Sequence, residues 1–228
     1  MNVSVIIPCY NEEKTIKEII LTVKKYLNKD DEIIVVDDCS TDNTQSILKN
    51  DLKDIVDKLI FNEKNYGKGY SIRRGINSVN CDIIIIQDAD LEYHPNDYEK
   101  LLKPIKNNLA DVVYGSRFIG SQEKRVLYFW HTLGNKFLTL LSNILSNLNL
   151  TDMEVGYKVF KSDVLKKISL KENRFGFEPE ITAKISKKNL RIYEIGVKYF
   201  GRKYEDGKKI TWKDGFAAIF CIIYYNLF

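Results

Sequence analysis

The first part of the chain alternates short apolar runs with segments of helical periodicity, and this alternation limits the possible fold more than any other feature. The apolar runs are rich in Ile and Val and almost uninterrupted, which is typical of strands buried on both faces of a sheet. The resulting β-α-β-α-β-α-β order predicts an α/β fold, with a mostly parallel sheet flanked by helices. The first helical stripe consists of Ile16, Ile19, Ile20, Val23 and Leu27.

The ends of these elements follow from local chemistry. Pro8 should end the first strand, because proline lacks the N–H that a strand ladder uses. Asn11 should cap the first helix, with the two glutamates after it in the first turn. Thr41 or Asp42 should open the second helix, and the third should cover residues 68–78. The predicted strands of this part cover residues 3–7, 32–36, 55–61 and 82–87.

The second part of the chain is less regular but also mixes helices and strands. It shows no internal repeat, low-complexity linker or clear boundary, so residues 1–228 should form a single domain. The expected elements are a helix over 95–105, a strand over 111–115, an apolar helix over 133–148, a short segment at 157–160, a helix over 178–188, a strand over 191–200 and a terminal helix.

Composition excludes some classes of partner and compartment. A net charge of +4 over 228 residues is too small to suggest a protein that coats nucleic acid. The four cysteines are scattered without a C-x-x-C pair, which is typical of free thiols in a reducing cytosol. The first residue leads directly into a strand pattern, so we expect no signal peptide.

Two apolar segments, residues 133–148 and 216–228, fall short of the roughly 20 apolar residues that span a bilayer. Their aromatic and apolar faces could pack in the core, contact a partner subunit or lie on a membrane surface. Core packing is the default expectation for such segments in a globular chain.

The most informative functional motif is Asp88-Ala89-Asp90, directly after the apolar run of residues 83–86. Alternate side chains of an extended segment point the same way, so Asp88 and Asp90 should converge, and Glu92 would join them if the chain stays extended. Hard oxygen ligands suit Mg²⁺ or Mn²⁺, which commonly complete their coordination with phosphate oxygens. A pair of acids at a strand's carboxyl end favours ligand binding over the alternative of a merely solvated loop.

Other polar groups follow the remaining strands. Pro8, Tyr10 and Glu12 follow the first strand, Asp38 follows the second, and Lys68 lies between two glycines before the third helix. These residues can supply a base pocket, a ribose contact and a phosphate contact. The G-x-G-x-x-G and G-x-x-x-x-G-K-[ST] motifs are absent, which argues against a dehydrogenase and a P-loop NTPase.

Three segments together, residues 4–13, 35–42 and 87–90, resemble the family 2 glycosyltransferases of the GT-A (Rossmann-like) fold. The resemblance implies inverting transfer of a sugar from a nucleotide diphosphate, with the D-x-D motif holding Mg²⁺ or Mn²⁺. It further implies a nucleotide-sugar-binding half over residues 1–115 and an acceptor half with amphipathic helices over residues 116–228.

Further segments resemble the dolichyl-phosphate (polyprenyl-phosphate) mannosyl- and glucosyltransferase subgroup. In that group Asp38 and Glu12 would contact the nucleoside, Asp88 and Asp90 would hold the metal, and Glu92 can join them. Relatives often carry C-terminal transmembrane helices, which this sequence lacks, so we expect peripheral or partner-mediated membrane association. The segments that carry this resemblance are residues 65–69, 114–118, 151–158, 176–180 and 201–204.

A phosphate acceptor also agrees with elementary chemistry. A lipid monophosphate, with a second pKa near ~6, arrives largely as a dianion and needs cations rather than a general base. Arginine contacts phosphate through two hydrogen bonds, whereas lysine offers a point charge. The cations expected at the acceptor phosphate are Arg117, Arg125 and His131. The expected nucleotide-sugar contacts are Pro8, Tyr10, Glu12, Asp38, Lys68, Asp88, Arg202 and Lys208.

Asp152 should lie near the reacting centre if the resemblance holds, and its role is left open. It could be a general base, a second metal contact or an orienting group for a cation. Asp90 and Arg117 complete the expected catalytic set. Glu178 and Glu180 are first-turn helix acids in the simplest interpretation, although the resemblance places their segment near the acceptor.

These observations predict an enzyme that moves a hexose from a UDP- or GDP-sugar to a polyprenyl phosphate. It would be cytoplasmic, peripheral on the cytosolic face of a membrane, with a second copy or a membrane protein as a possible partner. One alternative is the same fold acting on a saccharide or protein acceptor, which needs a base such as Asp152. Another is an idle nucleotide-sugar-binding subunit, which the intact Asp88/Asp90 pair argues against. A nucleotidylyltransferase should show a glycine-rich loop at residues 8–11, and this chain does not.

Overall fold

The computed structural model describes residues 1–120, 125–126, 128–202 and 212–228, without the side chains of residues 212 and 213. Seven strands form one sheet: β1 (Val3–Cys9), β2 (Glu32–Asp37), β3 (Lys58–Phe61), β4 (Ile83–Ile86), β5 (Val112–Ser116), β6 (Lys158–Lys161) and β7 (Ile192–Gly196). Their order is β3-β2-β1-β4-β6-β5-β7. Only β6 runs antiparallel to its neighbours, so the predicted mostly parallel sheet is confirmed.

Helices cover the sheet on both faces, as the alternating pattern predicts. A 3-10 turn at Pro95–Asp97 precedes α4. In chain order the helices are α1 (Ile16–Tyr26), α2 (Thr44–Asn50), α3 (Lys68–Asn77), α4 (Tyr98–Lys106), α5 (Phe129–Ser146), α6 (Ser162–Leu165), α7 (Phe177–Ser186) and α8 (Trp212–Leu227).

The core lies between the sheet and these helices. Every residue of β1, β2, β4 and β5 is buried, which explains their continuous apolar sequence. Helix α3 lies close to β1 because Gly75 faces Ile6, where an added Cβ would collide with the isoleucine side chain. This tightly packed sheet fixes the positions at which its carboxyl-terminal loops emerge.

Strand β1 continues through Pro8 to Cys9, so the predicted stop at Pro8 is wrong. The amide of Gln87 donates to the Ile6 carbonyl, so the even-numbered residues of β1 bond toward β4. The last β1–β4 pair joins Ile6 to Ile86. Pro8 therefore faces the β4 side, but it lies beyond the last β1–β4 pair. The ladder does not need the N–H that proline lacks.

Asn11 does not cap α1, which begins at Ile16 after Thr15, so that prediction is wrong. Asn11 has a φ of 51°, and its side-chain oxygen accepts a hydrogen bond of 2.7 Å from the Thr41 amide. The residue ties two loops together at the edge of the sheet. At α2, the Asp42 carboxylate accepts a hydrogen bond of 3.0 Å from the Thr44 amide, the first residue of the helix.

Strand β3 begins at Lys58, later than the predicted start at residue 55. The amides of Ile55 and Val56 both donate to the Leu52 carbonyl, so these residues form a turn despite their apolar side chains. Burial of a turn can produce the same sequence pattern as a strand.

Helices α5 and α8 pack against each other, and α8 also packs on α7. The prediction that their apolar residues pack in the core is only partly correct, because each helix also leaves a row of apolar side chains open to solvent. In the part of the chain that the structure describes, neither these helices nor any other is long and apolar enough to cross a bilayer. The exposed face, called the α5/α8 face below, carries Phe129, Trp130, Leu133, Phe137, Leu140 and Ile144 on α5 and Phe216, Phe220, Ile223, Tyr224 and Leu227 on α8.

Candidate active site

A cavity of about 740 Å³ opens at the carboxyl ends of β1, β2 and β4, where parallel sheets bind ligands. Arg125 lies outside it and donates to the Gly201 carbonyl at 2.8 Å. Asp152 is buried behind its wall, and Lys208 falls outside the residues that the structure describes. The predicted site residues that line the cavity are Pro8, Tyr10, Glu12, Asp38, Lys68, Asp88, Asp90, Glu92, Arg117, His131 and Arg202.

The Asp88–Asp90 segment is held by a buried polar anchor just before it. The Gln87 side-chain oxygen accepts hydrogen bonds from Tyr98 and Tyr157 at 2.8 and 2.6 Å. The chain then turns: Leu91 adopts a φ of 63°, and the Glu92 amide donates a hydrogen bond of 3.1 Å to the Asp90 carboxylate. The predicted extended segment is therefore wrong, and a turn brings the acids together instead.

Electrostatics at this turn favour a cation. Lys68 contacts Asp88 at 2.8 Å and Arg202 contacts Asp90 at 3.0 Å. Burial, with the negative charges of Asp88 and Glu92, still raises the pKa of Asp90 to about 7, although Arg202 opposes the shift. The site thus carries more negative charge than its own cations offset. Two adjacent hard oxygen donors beside a cavity fit Mg²⁺ or Mn²⁺, with coordination positions left for phosphate oxygens and water.

Glu92 uses both carboxylate oxygens within the protein. It accepts a hydrogen bond of 2.9 Å from the Tyr199 hydroxyl and one of 2.7 Å from the Arg202 amide. Among the described residues, no three His, Cys, Asp or Glu side chains form a group with metal-binding geometry. A ligand role for Glu92 stays a prediction, and its observed contacts place Arg202 at the mouth of the Asp90 site.

Gly156 allows this turn to lie close to β6. A Cβ at Gly156 would overlap the Asp88 carboxylate, so Gly156→Ala should displace Asp88. We expect sugar transfer to fall about tenfold or more, in line with the sensitivity of catalytic groups to small misplacements. Steady-state rates and a metal titration would measure the effect.

Gly75→Ala is the matched control, because its added Cβ would overlap the Ile6 side chain in the core, and neither residue lines the cavity. Both variants should lower the melting temperature, but Gly75→Ala should keep the wild-type rate per folded molecule. Equal rates for the two variants would contradict the role given to Gly156.

The nucleoside side of the cavity is built around Asp38. Its carboxylate accepts hydrogen bonds from the amides of Tyr66 and Gly67 at 3.0 and 2.6 Å and from the Asn62 side chain at 2.6 Å. Asp38 therefore shapes the loop before α3, where Gly67 adopts a φ of 107°. Glu12 closes the same side through a contact of 3.2 Å with Arg202.

Arg117 also lines the cavity, and its guanidinium pairs with Asp152. The Nε and Nη2 atoms of Arg117 each lie 2.7 Å from a carboxylate oxygen, and the Arg117 amide donates to the same group at 3.0 Å. The fully buried Asp152 raises the pKa of the guanidinium further. With both oxygens engaged, Asp152 fits the orienting role among the three considered, and it leaves Arg117 fixed and charged at the cavity wall.

Several cavity residues were not singled out from the sequence. Glu154 lies two residues after Asp152 in an irregular segment, and Tyr199 follows β7 without a motif of its own. Glu178 was interpreted as a helix acid in a segment that the resemblance places near the acceptor, and it lies 3.0 Å from Lys68. Only the fold brings these positions to one cavity, since Glu154 and Tyr199 lie in different loops and Glu178 lies in the first turn of α7.

Comparison with known proteins agrees with this architecture. The model of the family described as Glycosyl transferase family 2 matches residues 4–169. A solved structure of glucosyl-3-phosphoglycerate synthase from Mycobacterium tuberculosis, in complex with Mn²⁺, uridine diphosphate and phosphoglyceric acid, superposes with a TM-score of 0.78 at 18% identity. The match covers 99% of this chain and 78% of that one. The predicted fold is confirmed.

Two curated relatives are similar over most of this chain. One is the UDP-N-acetylglucosamine–dolichyl-phosphate N-acetylglucosaminyltransferase of Methanococcus voltae, 28% identical over 96% of this chain and 93% of its own length. The other is the dolichol-phosphate mannosyltransferase of Pyrococcus furiosus, 29% identical over 92% of this chain and 61% of its own length. The similarity extends through both halves of the cavity.

Proposed function

The chain belongs to glycosyl transferase family 2, and we propose that it transfers a hexose from a UDP- or GDP-sugar to a polyprenyl phosphate. The observation that carries this proposal is the arrangement of one cavity. An acidic pair suited to a metal and diphosphate lines this cavity, and a fixed arginine lines it too. The names of the two curated relatives support the same acceptor class.

Donor binding would use the turn after β4 and the cations around it. Asp88 and Asp90 would hold Mg²⁺ or Mn²⁺, which when bound supplies Lewis-acid stabilisation of the departing diphosphate. Lys68 and Arg202 already contact these acids at 2.8 and 3.0 Å, so both are close enough to meet phosphate oxygens. Asp38 and Glu12 would shape the nucleoside pocket.

The acceptor step needs positioning more than proton transfer. A phosphate oxygen of the lipid would attack the anomeric carbon from the face opposite the nucleotide, forming one C–O bond as the bond to the diphosphate breaks, with inversion. Because the acceptor oxygen is already anionic, no base has to remove a proton. Arg117, held in place by Asp152, would orient the acceptor phosphate, and His131 at the cavity wall could contribute.

A transfer assay tests the proposal directly. The protein, Mg²⁺ or Mn²⁺ and a short polyprenyl phosphate would be incubated with labelled UDP-glucose, UDP-N-acetylglucosamine or GDP-mannose. Label should enter the organic phase from one donor and should disappear with Asp90→Ala. Label that stays aqueous for every donor, despite measurable donor binding, would favour the alternative of a saccharide or protein acceptor.

The α5/α8 face supports action at a membrane surface, at the cytosolic side where nucleotide sugars are made available. Trp130 is 75% exposed and also lines the cavity, so the apolar face continues into the site. A polyprenyl tail attached to a phosphate at Arg117 would leave the cavity along this face. Amphipathic helices of this kind bind at the headgroup boundary. A second copy or a membrane protein on this face is the alternative occupant.

Replacing Phe220 or Ile144, which are 64% and 68% exposed, by serine should weaken binding to phospholipid vesicles about tenfold each. Flotation or sedimentation with vesicles measures the effect. Leu109→Ser is a matched control, because Leu109 is 51% exposed outside this face. Equal vesicle binding by all three variants would contradict a membrane role for the α5/α8 face.

A further inference from the structure

A second group of charged residues lies in the cavity wall, close to both the acidic turn and Arg117. Glu178 is 4% exposed and lies 3.0 Å from Lys68, which also contacts Asp88 at 2.8 Å. Glu154 lines the same wall, and Lys158 is fully buried beneath it. Glu178, Glu154 and Lys158 are not needed for the metal or for the acceptor phosphate as proposed above.

Each of the two glutamates in this group has one oxygen without a partner. Glu178 Oε2 and Glu154 Oε1 are buried and accept no hydrogen bond from the residues that the structure describes. A buried polar atom left in this state keeps its full desolvation cost, so native proteins rarely retain one without a function. Because both side chains line the cavity, a ligand with hydroxyl groups could satisfy them.

Position indicates which part of a ligand this would be. Lys68 joins Glu178 to Asp88, where the departing diphosphate would lie. Glu154 lies toward the other side, since the charge of Arg117 as well as that of Glu178 acts on its carboxyl group. In a direct transfer, the sugar occupies the space between leaving phosphate and acceptor, which is the space these two glutamates border.

We propose that Glu178 and Glu154 hydrogen-bond hydroxyl groups of the transferred hexose and that they select neutral sugars over sugars that carry a carboxylate. This inference rests on the proposed function, which it deepens by assigning the sugar subsite. A uronic acid would place its carboxylate beside Glu178, which forms an ion pair of 3.0 Å with Lys68, and like charges repel in a buried site.

The charge state of the subsite agrees with a hydroxyl ligand. Burial, with the negative charge of Glu178, raises the pKa of Glu154 to about 8, against the effect of Lys158. Burial also lowers the pKa of Lys158 to about 8. A hydroxyl group both donates and accepts, so it can pair with Glu154 in either protonation state. The subsite therefore fits hydroxyl groups better than purely accepting or purely anionic ones.

The test compares a nucleotide sugar with its nucleotide alone. Calorimetry with Mg²⁺ would give dissociation constants for UDP-glucose, UDP-N-acetylglucosamine, GDP-mannose, UDP and GDP. Glu178→Ala and Glu154→Ala should weaken binding of the preferred donor about 10- to 100-fold relative to its nucleoside diphosphate. If the loss of Glu178 acts on the diphosphate through Lys68, it changes the dissociation constants of the donor and of its nucleoside diphosphate alike, so their ratio stays the same. Glu178→Gln should in addition bind UDP-glucuronate more tightly than wild type does.

Glu180→Gln serves as the control for stability. Glu180 is buried on the same helix, but its oxygens accept from the amides of Lys171 and Glu172 at 2.7 and 2.8 Å, and it does not line the cavity. This variant should melt at a lower temperature with an unchanged donor-to-nucleotide ratio.

The outcomes distinguish failure of the sugar subsite from failure of the proposed function. Ratios within twofold of wild type for both alanine variants would overturn the sugar subsite and leave the proposed function standing. Failure of the wild-type protein to bind any donor or nucleotide would overturn both. A selective loss with Glu178→Ala and Glu154→Ala, absent in Glu180→Gln, would support the subsite.

Discussion

Asp90→Asn should reduce sugar transfer about a thousandfold while leaving the metal-free protein at least as stable as wild type. The loss follows from removing one of the two oxygen donors proposed for the metal, since single electrostatic groups in active sites contribute about 10²–10³ in rate. Stability should not fall, because Asp90 is buried against the charges of Asp88 and Glu92, which raise its pKa. Asparagine removes that repulsion and keeps an oxygen for Arg202, which lies 3.0 Å away.

The loss of activity is measured by transfer rates and by a Mg²⁺ or Mn²⁺ titration. The retained stability is measured by melting curves. Asp163→Asn is the matched control, because the Asp163 side chain is 70% exposed and its ion pair with Lys167 is 3.8 Å long. A chelator should abolish transfer by the wild-type protein, and adding excess Mg²⁺ or Mn²⁺ should restore it. Full activity of Asp90→Asn, or wild-type activity in the chelator, would contradict a metal at this pair.

Opposite effects on activity and stability would identify Asp90 as a functional residue that the fold tolerates. The surrounding sheet can hold such a residue because β1, β2 and β4 are completely buried. Their packing fixes the turn that carries the acids, whatever repulsion the acids add. Local strain of this kind is commonly stored at active sites and offset by packing elsewhere.

Sequence periodicity was enough to predict the parallel part of the sheet, because strands buried on both faces must be continuously apolar. It did not predict where elements end. Pro8 extends a strand only because the neighbouring strand has already stopped, and Ile55 is apolar because its turn packs, partly buried, against the core. Both facts depend on neighbours in space rather than along the chain.

The same distinction applies to the site. The Asp88/Asp90 pair was predictable, because it follows a buried strand and strand ends define the ligand edge. The pairing of Arg117 with Asp152 was not, since the two lie on different loops and the sequence left three roles for Asp152. Glu154 and Glu178 lie in segments that carry the family resemblance, but the sequence assigned no ligand contact to either. Their buried oxygens, which have no partner among the described residues, are what marks them.

The pairing of Arg117 with Asp152 leads to the second large effect that we expect. Arg117→Ala should abolish transfer and also destabilise the protein by about 3–5 kcal/mol, because it leaves the carboxylate of the fully buried Asp152 without its partner. For a chain of this size the melting temperature should fall by roughly 6–20 °C. Donor binding should persist, since Arg117 lies on the acceptor side of the cavity.

A second substitution separates the two roles of Arg117. In Arg117→Ala/Asp152→Asn the buried charge is gone, while asparagine can still accept from the amide of residue 117, which bonds Asp152 at 3.0 Å in the wild type. Most of the lost stability should return, but transfer to polyprenyl phosphate should not, because the acceptor phosphate still lacks its cation. Recovery of transfer together with stability would show that Arg117 acts only through folding. The acceptor role would then have to be sought among the remaining cations of the cavity, beginning with His131.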